Sequence, residues 1–377
     1  MIKICHMTSA HPRYDIRIFE KECTSLANKN DYEVFLIVND DREDEIINDV
    51  HFVSTKFVPK GRRERMIKSM GYIWDKAMEI DADIYHMHDP ELMRLAKKLK
   101  RKGKKVIFDA HEDTQEQIMD KAWIPSVIRK MVSVCFGIYQ RSILKRCDAV
   151  VTVTPKLVEK LKKYNNNVYM ITNYPIIMLE KDSDSIENSD KKQYVFFAGG
   201  VSAQWCHEKI VAAVAKCDNI NYRLAGPMDE NYKIELENTE GWSDVEYLGR
   251  IPHDLVEKEY KGAVAGMAVN ECTQIKGEGT LGNTKLFEVM AAGIPVICTD
   301  YRLWKEIIDA YNCGICVDSN NVDEIADAIT YIQQHPAEAK NMGLNGRKAI
   351  VEKYNWKTQE SVLYQLYDKL CQKGGQI

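Results

Sequence analysis

The sequence predicts an α/β protein made of two doubly wound halves. Three observations lead there. Over residues 1–180, short apolar runs alternate with helical patterns, the signal of a parallel sheet covered by helices. The stretch Glu180-Lys-Asp-Ser-Asp-Ser-Ile-Glu-Asn-Ser-Asp-Lys-Lys-Gln193 then breaks the pattern, because it is polar and has almost nothing to contribute to a core. Beyond it the alternation restarts. A chain of 377 residues is also long enough for two domains rather than one.

Apolar runs place strands of the first half at 3–7, 34–38, 84–87, 106–109, 149–153 and 169–171. Helical patterns fall between them at 17–29, 64–79, 91–101, 126–145 and 156–163. In the second half strands are expected at 194–198, 222–225, 245–248, 264–269, 295–298 and 315–317. The segment 356–370 reads as an amphipathic helix carrying Trp356, Tyr364 and Tyr367. The expected division is therefore 1–180, a linker at 181–193, a second domain at 194–355 and a closing helical segment at 356–377. Ligands of such sheets sit at the carboxyl ends of strands, so the two domains are expected to face each other across a cleft.

Composition narrows the function classes. A hydrophobic share of 45% with 29% charged residues is that of a soluble globular protein. No apolar run approaches the roughly 20 residues that span a bilayer, and the first residues read as a strand rather than a signal peptide. Eleven cysteines lack paired metal spacing, and Cys5, Cys298 and Cys316 fall in apolar strands, as reduced core residues of a cytoplasmic protein would. Residues 1–180 hold 31 Lys and Arg against 26 Asp and Glu, whereas 181–377 hold 21 against 30. The basic excess is dense at 60–68 and 97–105. It reads either as solvated helix ends or as a face for an anionic membrane. Nucleic acid is disfavoured, because aromatics do not interleave with these cations.

The most informative segment runs from Gly282 to Asp300. Asn283 or Thr284 can cap a helix whose first N–H groups would face an anion, and Lys285 adds a cation in the first turn. Glu288 follows one turn later on the same face, able to hold a pair of sugar hydroxyls. Gly293 ends the helix and Pro295 opens a strand. An anion cradle beside a carboxylate suits a nucleotide diphosphate.

The run Asn283-Thr-Lys-Leu-Phe-Glu-Val-Met-Ala-Ala-Gly-Ile-Pro-Val-Ile-Cys-Thr-Asp300 resembles the donor-binding signature of the family 4 glycosyltransferases of GT-B fold. Segments 85–92, 106–113, 147–161, 247–253 and 352–359 resemble further motifs of that family in the same order. The resemblance implies two Rossmann-like domains and retaining, metal-independent transfer from a nucleotide sugar, with the last helix bracing the first domain. It implies that Glu288 accepts the ribose hydroxyls and that His111, in Asp109-Ala-His-Glu-Asp113, lies near the donor sugar. The family's preceding glutamate would fall where this chain has Thr280; Glu278 is two residues away and is the nearest substitute. Residues 249–252 would hold the base, with Arg250 beside them.

Departures from the family pattern shape the remaining expectations. Gly199 and Gly200 let backbone approach a pyrophosphate, but the first cation after them is Lys209. Neutralising the diphosphate then falls to Lys285, Arg17 or Arg250, while Gln204 and Trp205 could face the donor. Many family members have two glycines after the first strand. Here the loop Ser9–Arg17 instead carries His11, Arg13, Tyr14, Asp15 and Arg17, and it is expected to recognise an acceptor or the leaving phosphate. His86 and His88, two apart in a strand, share a face and could suggest metal with Glu112 and Asp113. Shaping the acceptor pocket is the expected role of His88 and Asp89.

The expected activity is a retaining glycosyltransferase using a UDP-sugar and a glycan or lipid-linked acceptor of surface polysaccharide synthesis. No cofactor is expected. The protein is expected in the cytoplasm, at the inner face of the plasma membrane. Alternatives are a nucleotide-sugar 2-epimerase and a catalytically silent partner subunit. A dehydrogenase is disfavoured, since neither half opens with Gly-x-Gly-x-x-Gly.

Overall fold

A computed structural model describes residues 1–120, 124–177, 193–271 and 277–372. The chain forms two compact units, one of residues 1–173 with 356–377 and one of residues 174–355. Most of the polar stretch at 180–193 lies outside the described residues, and Gln193 already belongs to a strand.

The first unit is built on β1 (Ile2–Met7), β2 (Tyr32–Val38), β3 (Glu45–Ile47), β4 (Val50–Ser54), β5 (Ile84–Met87), β6 (Lys105–Ala110), β7 (Ala149–Thr152) and β8 (Val168–Met170). They pair in the order β3-β4-β2-β1-β5-β6-β7-β8, parallel except for β3 against β4. The second unit holds β9 (Gln193–Ala198), β10 (Ile220–Ala225), β11 (Val245–Gly249), β12 (Ala265–Ala268), β13 (Val296–Thr299) and β14 (Gly314–Val317). Their order is β11-β10-β9-β12-β13-β14, parallel throughout. Both orders reverse beside the first strand of the unit, the switch point at which doubly wound sheets open for ligands.

Three elements escaped the sequence reading. Strands β3 and β4 form a short pair at the edge of the first sheet, too brief to give a clear period. Helix Thr114–Asp120 packs beside helix Ser126–Leu144 and is one of the shortest in the chain. The expected helix at 17–29 is present, but its first turns, Ile16–Cys23, are π-wound before Thr24–Ala27 returns to α. Asp15 caps it, its Oδ1 accepting from the N–H groups of Arg17 and Ile18 at 2.9 and 2.8 Å.

The two faces of the first sheet are sorted by period two. Cys5, Met7, Tyr85, Met87, Val106 and Phe108 face one core. Ile4, Ile84 and Ile107 face the other, which is closed by Ile18, Phe19 and Cys23 of the π-wound helix and by Trp356, Leu363, Leu366, Tyr367 and Leu370 of the last helix. Helix Trp356–Gln372 thus belongs to the first unit's core; each large apolar side chain buried there contributes about 1.5–3 kcal/mol. Trp356 also donates from Nε1 to Ser25 Oγ at 2.9 Å. In the second unit Tyr174 packs edge-on against Phe287 at 4.8 Å and Tyr354 at 5.5 Å.

Candidate functional site

Polar side chains gather at the carboxyl ends of the central strands in each unit. In the first, the same period that places Ile4, Ile84 and Ile107 in the core puts His6, His86 and Asp109 two residues further along each strand, on the same face. His88 follows on β5, and His111 follows β6. The π-wound helix adds Arg17 and Glu22 from above.

Arg17 is buried and holds this group together. It donates to Asp109 Oδ2 from Nη2 at 2.8 Å and to the Ile171 carbonyl from Nη1 at 2.9 Å, and its Nε lies 3.2 Å from Glu22 Oε1. The expectation that Arg17 reaches a leaving diphosphate is therefore corrected: its donors are committed inside the first unit. Burial alone would raise the Asp109 carboxyl, but Arg17, His111 and His88 outweigh it and hold it well below the usual range. Glu22 goes the other way, pushed well above its ordinary value by burial despite Arg17. His6 Nδ1 and His88 Nε2 share a hydrogen bond at 2.9 Å. Tyr367 Oη lies 3.1 Å from His6 Nε2 and 2.9 Å from His86 Nδ1.

His111 stands at the rim, its side chain 22% exposed and its Nε2 3.8 Å from Asp109 Oδ2. Burial lowers it to about 3, so it is a neutral imidazole at physiological pH, able to hydrogen-bond but carrying no charge. His11 approaches it with ring centres 5.4 Å apart. Burial would lower His11, but its hydrogen bond to Asp15 at 3.0 Å and the charges of Asp89 and Asp109 raise it. Asp89 anchors the loop that carries His11, its Oδ2 accepting from Thr8 Oγ1 at 2.8 Å and from the Ser9 N–H at 2.7 Å. Asp113 caps helix 114–120 and pairs with Lys160 at 2.6 Å, so it does not join the histidines.

In the second unit three glycines mark adjacent strand ends. Gly199, with φ +154°, follows β9; a Cβ there would stand 2.9 Å from Lys285 Cε. Gly226, φ +137°, follows β10, and a Cβ would fall 1.7 Å from the Gly199 carbonyl oxygen. The two backbones touch because Gly226 lacks a side chain. Gly200 is exposed with open space around it, and Gly249 closes β11 just before the exposed Arg250. Arg250 makes no ion pair among the described residues.

Helix Lys285–Ala292 begins against this edge. Asn283 Oδ1 accepts from the Lys285 N–H at 3.0 Å and serves as its cap. Thr284 does not cap; its hydroxyl donates to Glu288 Oε1 at 2.6 Å, while Lys285 Nζ reaches Glu288 Oε2 at 2.5 Å. A carboxylate, an ammonium and a hydroxyl are thus knotted beside Gly199. Glu278 faces elsewhere: it is half-exposed and paired with Arg302 at 2.7 Å. Lys209 is likewise occupied, 3.6 Å from Glu271. Trp205 packs on Phe197 with ring centres 5.0 Å apart.

Sequence reasoning missed Glu22 and Asp109 as parts of the first cluster, and Asn270 in the second unit. Asn270 is fully buried just beyond β12, and neither side-chain polar atom has a hydrogen-bond partner among the described residues. The available signal for Glu22 was its spacing, four residues after Ile18 on the apolar face of the helix.

Comparison with known proteins fits this geometry. Residues 22–173 match the profile described as Glycosyltransferase Family 4, and residues 179–349 match Glycosyl transferases group 1. A comparison with curated proteins finds no match. Among solved structures, sucrose-phosphate synthase from Thermosynechococcus elongatus superposes with a TM-score of 0.76 at 16% identity, covering 99% of this chain and 100% of that one. WaaG, a glycosyltransferase involved in lipopolysaccharide biosynthesis, gives 0.71 at 12%, covering 97% and 99%. Anabaena HepE in complex with UDP and glucose gives 0.70 at 12%, covering 99% and 100%. The fold is GT-B, and with two family profiles matching consecutive stretches from residue 22 to residue 349, the chain belongs to the family 4 type of glycosyltransferases.

Proposed function

We propose that this glycosyltransferase takes a UDP-sugar as donor and transfers the sugar, with retention of configuration, to a lipid-linked glycan. The observation that carries the donor reading is the Thr284–Lys285–Glu288 knot against Gly199. Ribose hydroxyls would replace Thr284 and Lys285 as donors to the Glu288 carboxylate, freeing the ammonium for the diphosphate. Gly200 leaves the strand end open to that diphosphate, and Arg250 supplies a second cation at the end of β11, two strands away in the sheet. Asn270 offers an unmet amide for the donor. HepE, solved with UDP-glucose and with UDP, lends support to the choice of base.

As the sugar leaves, negative charge builds on the diphosphate. Cations and helix N–H groups aimed there stabilise that state more than the ground state. His111, neutral, hydrogen-bonds the sugar or the acceptor hydroxyl. The acceptor oxygen bonds to the anomeric carbon on the face from which the phosphate departs and gives its proton to the leaving phosphate oxygen, so the configuration is kept without a carboxylate nucleophile.

A lipid-linked acceptor calls for a membrane-facing surface, and helix Ser126–Leu144 offers one. Val127, Met131, Val134 and Ile138 repeat at intervals of four, three and four along one side, and all are exposed, from 53% to 90%. Residues 126–146 include Arg129, Lys130, Arg141, Lys145 and Arg146 and no acidic residue. That pairing of apolar stripe and cations suits an anionic bilayer surface better than the basic run at 97–105, whose helix Met93–Arg101 turns Leu95, Ala96 and Leu99 into the core. Among the described residues no helix is long and apolar enough to cross a membrane.

Incubating the protein with labelled UDP-sugars and membranes bearing lipid-linked glycans tests the reading. It predicts label entering the lipid fraction with the donor's anomeric configuration. Label appearing only as free sugar or as an isomerised nucleotide sugar would count against it. Met131→Asp with Val134→Asp, both on the exposed stripe, should reduce sedimentation with anionic vesicles while leaving transfer to a soluble acceptor intact.

A further inference from the structure

We propose that His6, Glu22, His86 and His88 form a closed binding site for a divalent transition-metal ion of the zinc type in the core of the first unit. All four side chains are buried, and one donor atom from each lies within 4.8 Å of the others. From Glu22 Oε2 the distances are 4.0 Å to His6 Nδ1, 3.9 Å to His86 Nδ1 and 4.0 Å to His88 Nε2. Donor atoms at the corners of a zinc tetrahedron stand about 3.3 Å apart, given bonds of roughly 2.0–2.1 Å. Three separations here are slightly longer, and one, His6 Nδ1 to His88 Nε2 at 2.9 Å, is slightly shorter. The pocket is close to the required size before any side chain turns.

An unmet carboxylate points to the same place independently. Among the described residues both Glu22 oxygens are buried without a hydrogen-bond partner, Oε1 meeting only the Arg17 charge, whereas an ion would have to replace the bonds His86 Nδ1 shares with Tyr367 Oη at 2.9 Å and His6 Nδ1 shares with His88 Nε2. Such atoms are rare in folded proteins and call for an ion or water. An ion bound through Glu22 employs its carboxylate directly. The surroundings also supply the partners that orient metal ligands. Tyr367 Oη lies 3.1 Å from His6 Nε2, Asp109 Oδ2 lies 3.6 Å from His88 Nδ1, and Arg17 Nε lies 3.2 Å from Glu22 Oε1.

Three imidazoles and one carboxylate match zinc better than calcium or magnesium, which take oxygen ligands. All four positions come from the protein, so the ion is structural and leaves none open for substrate. It would join β1 and β5 to the π-wound helix and, through Tyr367, to the last helix. The overlapping trio His88, Asp109 and His111 is the rival location, but it offers only three donors.

The test uses the full-length, tag-free protein produced with and without added zinc. Metal content is measured by plasma mass spectrometry after gel filtration, and cobalt(II) is then titrated into the metal-free protein. The expected result is about one zinc per chain, a melting temperature that rises with zinc, and the visible absorption of tetrahedral cobalt(II). Glu22→Gln, which keeps the side-chain shape, should weaken metal binding at least tenfold. His111→Ala should retain the full stoichiometry. A folded, metal-free protein whose melting temperature ignores zinc would overturn the proposal. So would zinc retained equally by Glu22→Gln, or zinc lost in His111→Ala, which would move the ion to the rival trio.

Discussion

Replacing Glu288 with Gln removes one charge from the second unit while keeping the side chain's shape. In the free protein Glu288 accepts from Thr284 Oγ1 at 2.6 Å and faces Lys285 Nζ at 2.5 Å, with 34% of its side chain exposed. An i,i+3 pair at this exposure is worth at most about 0.5 kcal/mol to folding, so the variant should remain folded. Binding is affected far more. Two ribose hydroxyls donating to a carboxylate contribute about 1.5–3 kcal/mol each at most, and exposure together with the freed Lys285 reduces the sum. A net loss of about 2–3 kcal/mol corresponds to a Kd roughly 30- to 150-fold weaker. Titration calorimetry with UDP and with 2′,3′-dideoxy-UDP isolates the contact. Wild type should lose affinity on removal of the hydroxyls, and Glu288→Gln should lose almost nothing further. Unchanged UDP affinity in the variant, or equal losses for both nucleotides, would refute the ribose assignment.

Three other outcomes are expected. His111→Ala should lower kcat roughly 100-fold, as loss of a single transition-state hydrogen bond does, and leave UDP affinity unchanged; steady-state kinetics beside calorimetry separates the two effects. Arg17→Ala strands the Asp109 and Glu22 carboxyls without their cation and should cost about 3–5 kcal/mol, a loss of roughly 10 °C in melting temperature for a unit of this size. Arg17→Lys should recover part of it. His207 is buried beside Tyr222, at 2.8 Å, and burial lowers it to about 3. Its folded value lies below its unfolded one, so the stability it allows is full above about pH 6.5 and is lost as pH falls toward 3, by about 1.4 kcal/mol per unit. Thermal melts of wild type and His207→Leu between pH 7 and 5 should therefore converge as the pH falls.

Where strands are apolar and alternate with helices, the fold was readable, because period and burial coincide: Val106-Ile-Phe and Val296-Ile-Cys are each buried on both faces. Helix 285–292 was equally plain, since Asn283, Lys285 and Gly293 each act locally, and Gly293 takes the left-handed φ of +75° that its place requires. Thr284 shows the limit of such reasoning. Position suggested a cap, but the proximity of Glu288 one turn on turned its hydroxyl outward from the backbone. The first cluster was less legible for a different reason. His6, Glu22, His86 and Asp109 come from four elements, and only sheet order brings them together. Arg17 looked like a free cation because nothing local to it reveals Asp109, 92 residues away.

The most direct test of the donor assignment is a panel of nucleotide sugars offered to the purified protein, read by thermal shift with release of free nucleotide followed in parallel. The account predicts selective stabilisation by one UDP-sugar and slow liberation of UDP, both abolished by Glu288→Gln. Stabilisation by GDP- or ADP-linked sugars alone would contradict the base assignment, and no stabilisation by any of them would contradict the donor site itself.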